Sequence, residues 1–142
     1  MRLLLITCAK NTANMVAVDT DVLVRLTVRD HASQLAAATA FVAKGAWVSH
    51  MVVCEALWVL TSFYQFSRAQ QRGFVAHLLT NGLLYLQDAE VVANALQHFE
   101  RHKKVSFSDC MILESARKAG HTPVGTFDSA LAKIEGAHKV IG

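Results

Sequence analysis

Three aspartates follow short apolar segments of the chain: Asp19 after residues 15–18, Asp109 after 105–108, and Asp128 shortly after a segment ending near Gly125. A fourth acid, Glu55, is the only charged residue between His50 and Arg68, set between Met51-Val52-Val53-Cys54 and Ala56-Leu57-Trp58-Val59-Leu60. A helix that apolar is expected to be buried, and an ionised carboxylate inside it needs a cation. Arg25 is one candidate partner. The other solution is that Glu55 joins the aspartates around a metal ion. Carboxylates gathered together repel unless a divalent cation or a proton is present. Four of them with no evident basic partner call for a hard ion with oxygen ligands, hence Mg²⁺ or Mn²⁺. Each aspartate also has a plainer use as a helix cap or first-turn residue, and Asp21 is expected to cap a helix beginning near Val22.

The elements that must carry these acids are legible as alternating short apolar runs and helical stretches. Strand-like runs fall at 15–18, 47–49, 83–86, 121–125 and 139–141, with a further one at 105–108 before Asp109. Helices are expected at 31–44 (stopping at Gly45), 50–64, 67–81, 88–103 and 108–119 (stopping at Gly120), with a last short one after Thr126. The only proline, Pro123, opens a candidate strand. This alternation predicts an α/β fold, a short parallel sheet of about five strands with helices on both faces, three layers in all. Ligands of such sheets bind beyond the carboxyl ends of the strands, where the aspartates stand.

The 142 residues fit one domain, and 53% hydrophobic with 18% charged residues excludes a disordered chain. No apolar run reaches the roughly 18 residues of a membrane-spanning helix, so a soluble, cytoplasmic protein is expected. Cys8, Cys54 and Cys110 lack CxxC or CxxH spacing, which argues against a disulfide framework and a structural zinc site. The net charge of +3 is compatible with a nucleic-acid partner without requiring one. Residues 1–14 imitate a signal peptide, yet their apolar stretch is short and no small-residue cleavage site follows. They are taken as an N-terminal extension, with the domain spanning 15–142. His98 and His102 stand at i, i+4, a spacing that can bind zinc, but no third ligand is evident, and a polar helix face is the simpler reading.

From Met15 onward the chain resembles PIN-domain ribonucleases, specifically the VapC-type toxins of VapBC toxin–antitoxin pairs. The resemblance lies in Val16-Ala17-Val18-Asp19-Thr20-Asp21-Val22-Leu23-Val24-Arg25, Cys54-Glu55-Ala56-Leu57-Trp58-Val59-Leu60, Phe107-Ser108-Asp109-Cys110-Met111-Ile112 and Thr126-Phe127-Asp128. It implies a PIN-like fold, an Mg²⁺- or Mn²⁺-dependent hydrolysis of RNA phosphodiesters, and Asp19, Glu55, Asp109 and Asp128 as metal-binding and catalytic residues. Asp21, Thr126 and Ser106 are accessory candidates. Many relatives carry Asn or Ser where this chain has Asp21, and some carry an acid at the position of Ser106. Arg25, Arg29, Arg101, Lys103 and Lys104 are candidate RNA contacts, with Arg68 and Arg72 behind them. The resemblance further implies a homodimer, and an antitoxin whose C-terminal segment lies in the active-site groove. The surplus of large apolar residues over 50–81 fits both partners. Two alternatives stand beside it. Val18-Asp19-Thr20-Asp21 also resembles the first motif of haloacid dehalogenase-like phosphatases, although Lys133 is badly placed for that family. A non-catalytic PIN-like binding module is the other.

Overall fold

The computed structural model describes residues 12–141. Residues 1–11, which hold Cys8 and most of the expected extension, lie outside the described residues, as does Gly142. Contacts divide the chain into two compact units, one ending at Glu90 and the other beginning at Val91.

In the first unit, α1 (Thr20–Val28) opens at Asp19 and ends at Arg29, which adopts the left-handed conformation with φ 60°. α2 (Ala32–Phe41) is capped by the His31 ring, which accepts from Gln34 N at 3.2 Å. It stops at Phe41, short of the expected residue 44. β1 (Ala46–Val48) leads into α3 (His50–Ser62), where the Ser49 hydroxyl accepts from Val52 N. α4 (Arg68–Thr80) starts from a reciprocal Ser67/Gln70 capping box, satisfying two backbone donors that helix geometry leaves open. β2 (Leu84–Leu86) closes the set and pairs in parallel with β1, Ala46 opposite Leu84 and Val48 opposite Leu86. The buried residues of α3, Val53, Ala56, Leu57 and Leu60, recur at i, i+3, i+4, i+7, the stripe an amphipathic helix turns to a core.

In the second unit, α5 (Ala89–Arg101) buries Val91, Val92, Ala95, Leu96 and Phe99. α6 (Phe107–Ala119) is N-capped by Ser106 and stops at Gly120, whose φ of 85° suits a residue without Cβ. The Phe99 and Phe107 rings meet edge to face at 5.9 Å. β3 (Val124–Thr126) and β4 (Ala137–Lys139) pair in parallel, joined through a 3₁₀ turn at Leu131–Lys133.

The α/β class holds, with six α-helices among the described residues, but the single five-stranded sheet does not. Among the described residues the strands are four, each of three residues, in two separate two-stranded parallel sheets. Local chemistry shortens each candidate. Residues 15–18 supply one parallel bridge, Ala17 to Trp47, because Asp19 already starts α1. Ser49 is spent on capping α3, and Pro123 has no N–H to give, so β3 pairs only from Val124. The expected strand at 105–108 is absent: Ser106 caps α6 and Phe107 is already helical. No helix of the described residues is long and apolar enough to cross a membrane.

Candidate active site

The first turn of α1 organises two of the predicted acids. Asp19 is the helix N-cap, its Oδ1 accepting from Val22 N at 3.1 Å. The Thr20 hydroxyl donates to Glu55 Oε2 on α3 at 2.7 Å. Glu55 is exposed, which overturns the expectation of a buried carboxylate. The reason is angular: Met51, Glu55, Trp58 and Ser62 share the exposed face of α3, opposite its buried stripe. Arg25 is not its partner. Its Nη1 donates to the Tyr64 hydroxyl and to Asp30 Oδ1, both at 3.1 Å, while Tyr64 donates to Asp30 Oδ2 at 3.4 Å. The Tyr64 contact first, and then Asp30, hold the guanidinium above its ordinary pKa. Asp21 is an exposed first-turn residue, and the capping role expected of it belongs to Asp19.

In the second unit Asp109 stands half-buried in the first turn of α6, not after a strand, and its N–H donates to Ser106 Oγ at 3.2 Å. Its carboxylate has no hydrogen-bond or ion-pair partner among the described residues. Asp128 is exposed, and its Oδ1 accepts from Ala130 N at 2.7 Å and Leu131 N at 3.1 Å. Thr126, an accessory candidate, ends β3 and accepts from Asp128 N at 3.0 Å. Asp19, Glu55 and Asp128 are thus each tethered through one carboxylate oxygen, while the other oxygen has no partner among the described residues. Arg29, Arg101, Lys103 and Lys104 are exposed and take part in no ion pair there.

The PIN domain family model matches residues 16–137. The chain belongs to the PIN domain family. No curated protein and no solved structure matches it. PIN domains are commonly nucleases and generally use divalent metal ions. Asp19 and Glu55 in the first unit, and Asp109 and Asp128 in the second, carry carboxylate oxygens of the kind such an ion takes, and none is paired with a lysine, arginine or histidine among the described residues. Within those residues no three His, Cys, Asp or Glu side chains form a group placed to hold a metal, and this includes His98 and His102.

Two features escaped the sequence reading. Thr20 lay inside the first motif unremarked, although a hydroxyl at the first helical position next to an acid was there to see. Glu114 is the other. It is the one buried charged residue of those described, 4% exposed. It accepts from His98 Nε2 at 2.5 Å and Arg117 Nε at 3.0 Å, and Arg117 Nη2 donates to the Glu135 carbonyl at 2.5 Å. Its signal was the spacing Phe107, Cys110, Met111, Glu114, which sets an acid in a buried helical stripe. The cluster lines part of a cavity of about 430 Å³. Cys110 is buried and Cys54 half-buried.

Proposed function

We propose that this PIN domain is a metal-dependent ribonuclease in which Asp19, Glu55, Asp109 and Asp128 serve Mg²⁺ or Mn²⁺, and that it is the toxin of a toxin–antitoxin pair. The observation that carries the reading is the PIN domain match over residues 16–137. The four motif acids, like the exposed Asp21, Glu100 and Glu135, have no cationic partner among the described residues. Carboxylates left without counter-charge suit a site that receives its cation from solution.

A bound Mg²⁺ or Mn²⁺ supplies polarisation of the phosphodiester and a more acidic attacking water. The protein's part is to present oxygens. Asp19 offers Oδ2 while the α1 N-terminus holds Oδ1. Asp128 offers Oδ2 while two backbone amides hold Oδ1. Asp109 offers both oxygens. Glu55 Oε1, with Oε2 fixed by Thr20, is suited to take the proton of the attacking water. Lys103 and Lys104, in the turn leading to α6, and the exposed Arg29 and Arg101 supply positive charge for RNA phosphates. Arg25 contributes less, being held by Tyr64 and Asp30.

The proposed partners draw on the first unit's surface. Leu60, Phe74 and Leu78 are buried as core, but Met51, Trp58 and Phe63 are 77%, 61% and 73% exposed, and Trp58 and Phe63 touch edge to face at 6.1 Å. Apolar side chains so exposed mark an interaction surface. A homodimer contact and the C-terminal segment of an antitoxin are the proposed occupants. Residues 15–142 form the working domain in this reading, residues 1–14 an extension, and the cytoplasm is the compartment.

The test is cleavage of single-stranded RNA by the purified chain. Cleavage that needs Mg²⁺ or Mn²⁺, stops with EDTA and is abolished in Asp19→Asn and Asp109→Asn supports the ribonuclease. Full cleavage by either variant, or by metal-free protein, contradicts it. Co-expression with the product of the neighbouring upstream reading frame tests the toxin role. Unchanged activity, together with a monomer by light scattering, removes that role and leaves the nuclease.

A further inference from the structure

Helical threonines have a default use for their hydroxyl. In this chain Thr27 donates to the Leu23 carbonyl, Thr39 to that of Leu35, Thr61 to that of Leu57 and Thr80 to that of Ala76, all one turn back in their own helices. Such bonds return the side chain to its own backbone and give a neighbouring helix nothing. Thr20 is the exception. It is the first residue of α1, so the residue four positions earlier, Val16, lies outside the helix and its carbonyl accepts from Trp47 N instead. With no helical carbonyl behind it, the hydroxyl reaches 35 positions along the sequence to Glu55 Oε2 at 2.7 Å.

The same helix end holds Asp19 by a different donor, the Val22 amide. A helix N-terminus carries partial positive charge, which favours carboxylates close to it. The two tethers also differ in strength of specification. The Asp19 bond is made by backbone and survives any side-chain change at residue 22, whereas the Glu55 bond depends wholly on a hydroxyl at residue 20.

We propose that Thr20 is the positioning residue for Glu55. By donating to Oε2 it fixes the carboxylate's orientation and reserves Oε1 for the metal ion or for the water's proton. The assignment rests on the ribonuclease reading above. Partners that orient a metal-binding carboxylate are worth about 10- to 100-fold in metal affinity or activity.

The experiment compares the full-length wild type with Thr20→Val, which keeps the shape and removes the hydroxyl, and Thr20→Ser, which keeps the hydroxyl. Mn²⁺ affinity is measured by titration calorimetry, and kcat and KM on single-stranded RNA. Thr20→Val is expected to lose about tenfold or more in Mn²⁺ affinity or kcat. Its KM for RNA should stay within about twofold, because no phosphate contact is removed. Thr20→Ser should recover most of the loss. Wild-type Mn²⁺ affinity and kcat in Thr20→Val would overturn the assignment while leaving the nuclease standing. A wild type that neither binds Mn²⁺ nor cleaves RNA would overturn both. If Thr20→Val does not fold, Thr20→Ala carries the same comparison, with the same outcomes on either side.

Discussion

Glu55 and Glu114 are both glutamates in apolar helical sequence, and the fold treats them in opposite ways. Glu114 lies in the buried stripe of α6, paired with Arg117 and hydrogen-bonded to His98. Glu55 lies on the exposed face of α3, held by one neutral hydroxyl. Burying a carboxylate without counter-charge is costly, so an acid in a core must bring its cations with it. An acid kept for a diffusible cation must instead remain solvated and unpaired until that cation arrives. On the proposed function, the difference between the two is that between a charge that serves the fold and a charge that serves a ligand.

The comparison breaks most sharply on activity. Glu55→Gln keeps the shape and the Thr20 contact while removing the charge, and should lower RNA cleavage by about 100-fold or more. Gel analysis of end-labelled RNA checks this. A loss under about threefold would place Glu55 outside the chemistry. Glu114→Ala should act on stability instead. Removing one partner of a buried ion pair costs about 3–5 kcal/mol, and the lower end applies because the Arg117 side chain is 39% exposed and partly rehydrated. Urea unfolding should show a lower midpoint, with cleavage per folded molecule unchanged.

A smaller effect sharpens the structural side. Gly136 has φ 97°, and a Cβ there would stand 2.7 Å from Arg117 Nη2, the atom that ties Arg117 to the Glu135 carbonyl. Gly136→Ala should therefore destabilise by about 1–3 kcal/mol, through backbone strain and a displaced guanidinium. Thermal melting tests it, and an unchanged melting temperature would show the Arg117 contact to be dispensable. The smallest effect is expected from Glu55→Gln on stability without metal, within about 0.5 kcal/mol, the range of an exposed substitution. A clear destabilisation would instead give Glu55 a structural role like that of Glu114.

The helices were largely legible in the sequence because their signals are local. Ser49, Ser67, Ser106 and Gly120 mark helix ends by their own hydrogen bonds or backbone preference. The sheet was less legible, since three-residue strands carry too little alternation to fix their length or partners, and pairing is decided far along the chain. The four acids of the proposed site were picked out by motif and position. Their surroundings were not, because apolar neighbours in sequence say nothing about which face of a helix a residue occupies. Counting the stripe Val53, Ala56, Leu57, Leu60 would have put Glu55 outside, and Phe107, Cys110, Met111, Glu114 would have put Glu114 inside. Thr20 needed both the helix start and the proximity of α3, and only the first is written locally.

The proposal that the motif acids are kept for a divalent cation is tested most directly by melting temperature with and without Mn²⁺. A ligand bound only by the folded chain raises stability by RT ln(1 + [L]/Kd), about 2.7 kcal/mol at 100 times Kd. The wild type should melt higher as Mn²⁺ is added, and Asp19→Asn and Glu55→Gln should lose most of that rise while Glu114→Ala, melting lower throughout, keeps it. A wild type indifferent to Mn²⁺, or a rise undiminished in Asp19→Asn and Glu55→Gln, would contradict the claim.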